Sequence, residues 1–264
     1  MIGMAKPKAL IVRAPGTNCD IETAYAFELA GAEAVRVHVN QLIDMPALAE
    51  SFQILCFPGG FSYGDDIAAG RIAAVQWQTR LADVLSVFQT QDRLVLGICN
   101  GFQIMMRLGI FFDSHDKTPP ATLTWNTQGR FETRWVHLKP ESSHCVFLRG
   151  IDRIYLPMAH AEGRVLIRDD QACKQLLDRK QIAVRYCDAD GQTSDEVLDF
   201  PVNPNGAQWN IAGICDPSGR IFGLMPHPER YLDPTNHPSW TRQSSLPEHG
   251  EGLKIFKNAV EYFA

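Results

Sequence analysis

The sequence lacks the features that mark several large classes of protein. It contains no C-x-x-C pair, no run of Lys and Arg, and no apolar stretch of membrane-spanning length. Structural zinc sites, nucleic-acid surfaces and transmembrane helices depend on these features. We therefore expect no metal site, no nucleic-acid partner and no membrane contact. Residues 1–8 also lack an apolar leader segment, which favours a cytoplasmic location.

The composition supplies enough apolar residues for one large core. The chain has 264 residues, of which 45% are hydrophobic and 21% charged, with a net charge of -5. These values favour a single domain over residues 1–264. Two smaller domains are the alternative, although no linker marks a boundary between them. The seven cysteines are widely spaced, which predicts reduced intracellular thiols and not a disulfide framework.

The first hundred residues alternate short apolar runs with helical patterns. Strands are predicted at residues 8–13, 34–39, 52–57 and 94–98, with helices at 21–30 and 67–89. Apolar strands that are each followed by a helix are typical of a parallel sheet covered on both faces. Asp20 is placed as the N-cap of the first helix and Gly31 as its terminator.

The second half of the chain has shorter strand candidates and fewer helices. Strands are predicted at residues 131–138, 153–156, 164–167, 182–187, 211–215 and 221–225, with helices at 171–177 and 252–263. Segments 188–208 and 233–250 fit neither pattern, and we expect both to be surface loops. The two halves together predict an α/β fold with a flavodoxin-like open sheet. This sheet should be mainly parallel, with antiparallel strands at its edge and helices on both faces.

The strongest local signal is a cysteine between two glycines at the end of a predicted strand. The run Gly-Ile-Cys-Asn-Gly at 97–101 leads directly into a helical pattern over 102–108. This is the arrangement of a nucleophile elbow with cysteine in place of serine. An elbow places the sulfur at a helix N-terminus, whose dipole favours the thiolate. Cys99 is therefore a candidate nucleophile, and a buried structural cysteine is the alternative.

A candidate base lies at the end of the last predicted strand. His227 stands between Pro226 and Pro228, which stiffen the segment and remove competing backbone donors. Glu229 is two positions further, on the same face of an extended chain, and could hold the imidazole. A chance His and Glu in a surface turn is the alternative. The elbow at Cys99 in the same chain favours the catalytic interpretation.

Attack on a carbonyl also needs backbone N–H groups that bind the developing oxyanion, each worth about 3 kcal/mol. The N–H of Asn100, just past the nucleophile, is one candidate. A second can come from Gly59, Gly60 and Phe61, where paired glycines let the backbone turn its amides into the site. A plain glycine-rich turn is the alternative for this segment.

Other polar residues give weaker signals. His160 and Glu162 form a second His-x-Glu pair, which could belong to a metal site, but their spacing suggests no third ligand. Cys19 is predicted to be a loop residue ahead of the first helix. No Walker or dinucleotide fingerprint is present, so nucleotide binding by this chain is not expected.

Six motifs together resemble the class I (triad) glutamine amidotransferases. They are Pro-Gly-Thr-Asn-Cys-Asp (15–20), Pro-Gly-Gly-Phe-Ser-Tyr-Gly-Asp (58–65), Gly-Ile-Cys-Asn-Gly-Phe-Gln (97–103), Ala-His-Ala-Glu-Gly-Arg (159–164), Asn-Pro-Asn-Gly (203–206) and Met-Pro-His-Pro-Glu-Arg (225–230). The combination is similar to one branch in particular, the glutaminase subunits of phosphoribosylformylglycinamidine synthase. The likeness extends over almost the whole chain.

The resemblance implies a reaction and partners. Cys99 would attack the side-chain amide of glutamine and form a glutamyl thioester. His227 would protonate the departing ammonia and then activate water, while Glu229 holds its ring. The oxyanion and glutamine-binding residues would be Gly59, Gly60, Phe61, Asn100 and Gln103.

The resemblance further implies that ammonia passes to a large synthetase subunit, which uses ATP and magnesium to make formylglycinamidine ribonucleotide in purine biosynthesis. A small bridging subunit joins the two in some similar systems. No cofactor is implied for this chain itself.

Two departures from the family pattern concern the surface. The loops 188–208 and 233–250 add length, and Ala207 stands where the family often has serine. Two rival functions remain open at this point. One is a cysteine amidase or peptidase of another pathway on the same scaffold, and the other is a catalytically silent regulatory subunit.

Overall fold

The computed structural model describes residues 6–112 and 118–264; the predicted absence of a leader in residues 1–8 falls mostly outside this range. The strands of the described chain are β1 Lys8–Arg13, β2 Glu33–His38, β3 Ile54–Phe57, β4 Leu94–Ile98, β5 Ala121–Trp125, β6 Glu132–Pro140, β7 Ile154–His160, β8 Glu162–Ile167, β9 Ile182–Cys187, β10 Ile211–Cys215 and β11 Ile221–Leu224. The α-helices are α1 Asp20–Leu29, α2 Val39–Asp44, α3 Arg71–Arg80, α4 Ala82–Thr90, α5 Asn100–Leu108, α6 Asp170–Asp178 and α7 Leu253–Glu261. None of these helices is long and apolar enough to cross a bilayer.

Nine strands form one sheet in the order β2-β1-β3-β4-β11-β10-β9-β6-β7, while β5 and β8 form a separate pair. Neighbours from β2 to β11 are parallel, and neighbours from β11 to β7 are antiparallel. The predicted α/β sheet is confirmed, and its antiparallel part is four strands wide. Because the pairings alternate there, β7 again runs in the direction of β3, β4 and β11. The carboxyl ends of all four strands therefore lie at one edge of the sheet.

The core lies in the middle of this sheet. Every residue of β3, β4, β10 and β11 is buried, as expected for strands covered on both faces. The step from β1 to β2, which contains α1, and the step from β3 to β4, which contains α3, run in opposite directions across the sheet. Right-handed connections therefore place α1 and α3 on opposite faces. On its face α1 packs with α7, where the rings of Phe27 and Phe256 meet edge to face at 5.0 Å.

The predicted single helix over 67–89 is wrong. The chain forms α3 and α4, separated at Leu81, whose φ of -133° is not helical. The side chain of Leu81 is buried, so packing into the core overrides local helix preference there. The segment before α3 is also not helical, because Ile67 and Gly70 both have a φ of +71°.

Two smaller predictions also differ from the structure, and one strand has no counterpart among the predicted elements. Asp20 is the first residue of α1 and not its N-cap, and its carboxylate pairs with Arg13 at 2.8 Å and Arg36 at 3.1 Å. Strand β5 was not predicted from the sequence. Segment 188–208 is not wholly a surface loop, since Asn203 and Asn205 are buried and bonded to their own turn.

Candidate active site

Cys99 occupies the turn between β4 and α5. Its φ of +51° and ψ of -106° lie outside the regions that ordinary residues favour, and its backbone N–H is anchored to the carbonyl of Leu224 at 2.8 Å. Two glycines make this turn possible. A Cβ on Gly97 would lie 2.2 Å from Met105 Sδ, and one on Gly101 would lie 1.8 Å from the carbonyl oxygen of Phe57. The strained cysteine and its two close-packed glycines have the geometry of a nucleophile elbow.

His227 lies next to the elbow, on the segment that follows β11. Its backbone N–H donates to the carbonyl of Pro157 at 2.7 Å, which ties this segment to β7. Its Nδ1 lies 2.5 Å from Oε1 of Glu229, and both side chains are almost wholly buried. The pair forms because a 3₁₀ turn over Pro228–Arg230 brings the carboxylate back to the ring. The contact between His227 and Glu229 is as predicted, but a 3₁₀ turn forms it and not an extended chain.

The charges around His227 favour a protonated ring. Burial alone would lower the pKa of His227, but the Glu229 carboxylate and the Cys99 sulfur outweigh it, so this pKa is raised well above its usual value. Within the described chain, Nε2 of His227 is buried and has no hydrogen-bond partner. Since Nδ1 faces Glu229, Nε2 is the atom left to exchange a proton with sulfur and substrate.

We expect Glu229→Gln to lower kcat for glutamine hydrolysis by about 10³- to 10⁴-fold, because the neutral amide no longer fixes the ring or stabilises the imidazolium. The substitution removes the charge that raises the pKa of His227, so the alkaline limb of the pH–rate profile should move to lower pH. Steady-state kinetics between pH 6 and 10 would measure both effects. The exposed Glu248 provides a matched control, since Glu248→Gln should alter neither. An unchanged alkaline limb in Glu229→Gln would contradict this role.

The glycine-rich loop after β3 lies against both His227 and the elbow. A Cβ on Gly59 would lie 2.8 Å from Cε1 of His227, so this residue forms the floor beneath the ring. The N–H of Phe61 donates to the carbonyl of Gly16 at 3.0 Å and is therefore occupied. Within the described chain, the N–H of Gly60 has no such acceptor, and the N–H of Asn100 lies in the first turn of α5, where helical partners are absent. These two amides are the donors available to an oxyanion.

Asn100 also fixes the loop through its side chain. Its Oδ1 accepts from the N–H of Ser62 at 3.1 Å, and its Nδ2 donates to Asp65 at 3.1 Å and to Gln103 at 2.9 Å. Gln103 in turn donates to the carbonyl of Glu162 at 2.5 Å. One hydrogen-bond chain thus joins the loop after β3, the elbow helix and the turn between β7 and β8.

These three segments enclose a pocket of about 270 Å³ at the carboxyl edge of the sheet. Its volume suits a small amino acid. The pocket is lined by Gly60, Phe61, Gly64, Asp65, Ala69, Cys99, Gln103, Trp125, Phe131, Ala159, His160, Ala161 and Glu162. Of the eight site residues predicted from the sequence, four line it directly: Gly60, Phe61, Cys99 and Gln103. The other four do not line the pocket and lie next to residues that do: Gly59, Asn100, His227 and Glu229.

His160 and Glu162 therefore belong to the pocket. Nδ1 of His160 faces Oδ1 of Asn126 at 3.1 Å, and burial together with the charge of His227 lowers the pKa of His160 to about 3. The histidine is neutral at physiological pH. The sequence offered a metal site as the only role for this pair, although a family motif over 159–164 contains it, because nothing local connected the two residues to the elbow.

Cys19 lies beside the candidate base, which sequence reasoning did not anticipate. The ligand atoms of Cys19, His227 and Glu229 lie within 4.8 Å of one another, a spacing that a metal ion could use. However, the Arg230 guanidinium lies 3.1 Å from Cys19 Sγ, and Nδ1 of His227 is already taken by Glu229. The adjacent cation and this hydrogen bond disfavour a metal here.

Comparison with known proteins identifies the family. The model of a CobB/CobQ-like glutamine amidotransferase domain matches residues 6–263. "Phosphoribosylformylglycinamidine synthase subunit PurQ" of Dehalococcoides mccartyi is 47% identical over 260 residues, which cover 98% of each chain. The protein of the same name from Methanococcus maripaludis strain S2 is 46% identical over 268 residues, which cover 97% of each chain. The chain belongs to this glutamine amidotransferase family. The resemblance inferred from the six motifs is confirmed.

Solved structures agree with this PurQ-like amidotransferase assignment. A chain in the structure of PurLQS from Thermotoga maritima superposes with a TM-score of 0.72 at 29% identity, covering 98% of this chain and 100% of that one. A glutamine amidotransferase from Methylobacillus flagellatus superposes with a TM-score of 0.54 at 12% identity, covering 98% of this chain and 94% of that one. The second similarity shows the shared fold alone.

Proposed function

We propose that this chain is the glutaminase subunit of a phosphoribosylformylglycinamidine synthase. The observation that carries the proposal is the Glu229–His227 pair, joined at 2.5 Å and buried beside the Cys99 elbow. All three candidate triad members are present, which disfavours a catalytically silent subunit. Similarity along almost the entire chain to PurQ proteins disfavours a peptidase on the same scaffold.

The residues suggest how glutamine is hydrolysed. The Cys99 thiolate attacks the side-chain carbonyl carbon, and the N–H groups of Gly60 and Asn100 bind the oxyanion that forms. The imidazolium of His227 protonates the amide nitrogen, the C–N bond breaks, and ammonia leaves behind a glutamyl thioester. Neutral His227 then takes a proton from water, which attacks the thioester. Breakdown of the second tetrahedral intermediate releases glutamate and regenerates the Cys99 thiolate, while Glu229 stabilises the imidazolium throughout.

The released ammonia needs a recipient. We propose that a large synthetase subunit receives it and carries the ATP and magnesium chemistry, and that a small bridging subunit completes the assembly, as in the PurLQS complex of Thermotoga maritima. Apolar side chains near the pocket mouth support a covering partner. Phe61, Trp125 and Phe131 line the pocket and are each about half exposed, and apolar groups clustered in this way are typical of an interaction site.

Two further expectations belong to this proposal. We propose that the chain folds as a single domain, because one buried cluster connects both halves of the sheet and the family match is continuous from residue 6 to 263. We also propose a cytoplasmic location. All seven cysteines are free thiols, which suits a reducing compartment.

A glutamine-analogue electrophile tests the proposed activity. 6-Diazo-5-oxo-L-norleucine should label Cys99 and spare the other six cysteines, as measured by peptide mass spectrometry. Burial raises the pKa of Cys56 and Cys145 well above the ordinary thiol value, so both should stay unreactive. Glutamate release should rise when the synthetase subunits and their ribonucleotide substrate are added. Labelling of another cysteine, or glutaminase activity that does not change when the synthetase subunits are added, would contradict the proposal.

A further inference from the structure

An acidic group in the pocket has no cationic partner among the residues that the structure describes. Asp65 lines the pocket with Cys99, and its carboxylate accepts from Nδ2 of Asn100 at 3.1 Å. No Lys, Arg or His of the described residues forms an ion pair with it. Burial and the nearby Glu162 raise the pKa of Asp65 to about 6, against the hydrogen bonds from Gly70 and Asn100 that lower it. The carboxylate is thus held in a place where its negative charge is poorly compensated.

Glu162 adds a second carboxylate to the lining of the same pocket, close enough to affect Asp65 electrostatically. It lies at the start of β8, lines the same pocket, and its side chain is only 12% exposed. The nearest basic group is Arg107 of α5, at 3.9 Å, and that arginine also donates to the carbonyl of Ala69. One partial ion pair does not neutralise two carboxylates. A cation of the size of an ammonium group between them would relieve the repulsion.

His160 points independently to a ligand in this pocket. Oδ1 of Asn126 accepts from the N–H of Gly163 at 3.2 Å, so the atom facing Nδ1 of His160 is an acceptor and Nδ1 carries the proton. Nε2 is then a lone-pair acceptor, and it is buried without a partner in the described chain. A buried acceptor of this kind is normally satisfied. A ligand that brings N–H groups into the pocket would satisfy it.

We propose that Asp65 and Glu162 bind the α-ammonium group of the substrate and so restrict the enzyme to free glutamine. This inference rests on the proposed glutaminase function and adds the residues that recognise the amino-acid end. Glutamine within a peptide has a neutral α-nitrogen and would leave both partly buried carboxylates without a cation. A site built around a charged partner rejects analogues that lack it, because the buried groups remain unpaired. His160 contributes an acceptor for an N–H group of the same substrate.

Asp65→Asn removes the charge of this residue with little other change and is the first variant for the test. Asp65 has a φ of +54°, a conformation that asparagine tolerates well, and an asparagine Oδ1 can still accept from Asn100. The charge is lost while shape and this hydrogen bond are retained. Glu162→Gln is the second variant, so the test does not depend on one protein being folded. Asp178→Asn, on the outer helix α6 and exposed, is the control.

The experiment compares two electrophiles on Cys99. 6-Diazo-5-oxo-L-norleucine carries an α-ammonium group, whereas iodoacetamide carries none. We expect Asp65→Asn to slow labelling by the first about 30-fold and Glu162→Gln about 10-fold, in the range of charged hydrogen bonds. Labelling by iodoacetamide should change less than about twofold, and Asp178→Asn should change neither rate. The ratio of the two rates cancels any effect on the Cys99–His227 pair.

The pH dependence of that ratio gives a second readout. In the wild type the ratio should fall as pH drops through about 6, where Asp65 becomes neutral, and this step should be absent in Asp65→Asn. Equal slowing of both electrophiles, or an unchanged ratio in both variants, would overturn the ammonium site and leave the glutaminase function intact. Failure of 6-diazo-5-oxo-L-norleucine to label wild-type Cys99 would instead overturn the function itself.

Discussion

Replacing Cys99 by alanine should reduce glutamate release from glutamine by at least about 10⁴-fold, because no other group can form the acyl intermediate. The histidine, the carboxylate and the oxyanion amides remain, so a residual rate above that of water is expected. Glutamate formation by the complex with its synthetase subunits would be measured under saturating glutamine. Synthesis driven by added ammonia should persist, since that step belongs to the synthetase.

Cys173→Ala is the matched control for this variant. Cys173 is the one cysteine that is not buried, and it lies on α6, away from the pocket. The Cys173→Ala variant should retain full activity and the wild-type free energy of unfolding. If glutamate release by the complex is unchanged in Cys99→Ala, the activity comes from another group, and the result would favour a catalytically silent role for this chain.

Gly101→Ala should lower the free energy of unfolding by about 3 kcal/mol or more, at the upper end of overpacking effects. The new Cβ would lie 1.8 Å from the Phe57 carbonyl oxygen, and a backbone atom of a buried central strand cannot move aside as a side-chain tip can. Either α5 lifts from the sheet or β3 shifts, and both responses displace Cys99. Urea unfolding followed by circular dichroism would measure the loss.

Gly109→Ala separates overpacking from the loss of a glycine. Gly109 ends α5 with a φ of +71°, and a Cβ added there would meet no atom within 4 Å. Its replacement should cost only about 1 kcal/mol, the ordinary penalty for that backbone conformation. If both variants lose the same stability, the close contact with Phe57 is not what requires glycine in the elbow.

The sequence predicts the central strands well because their patterns are local. Strands at 94–98, 182–187 and 211–215 have the predicted bounds, and each is an apolar run that only Arg185 interrupts. The break at Leu81 and the pairing of β5 with β8 depend on contacts with distant residues. No property of a short window of sequence signals them, which explains why they were not predicted.

The candidate site divides in the same way. The two glycines that the turn requires, Gly97 and Gly101, are each only two positions from Cys99. The local sequence therefore predicts the backbone geometry around this cysteine. Asp65 and Cys19 acquire their neighbours only when loops from different strands meet at the sheet edge. Both residues lie in family motifs, but the motifs gave neither of them a role. A motif shows which residue types occur at given positions and does not show which side chains lie close together in the fold.

The central position of β11 has a consequence for synthesis of the chain. This strand lies between β4 and β10, yet along the described chain it is followed only by short 3₁₀ turns and by α7. A growing polypeptide therefore exposes the edge of β4 until this late strand emerges, and domains form from the N-terminus onward during translation. His227 and Glu229 follow directly after β11. Until then a nascent chain carries the thiol of Cys99 without its candidate base, so the triad is among the last parts of the site to be completed.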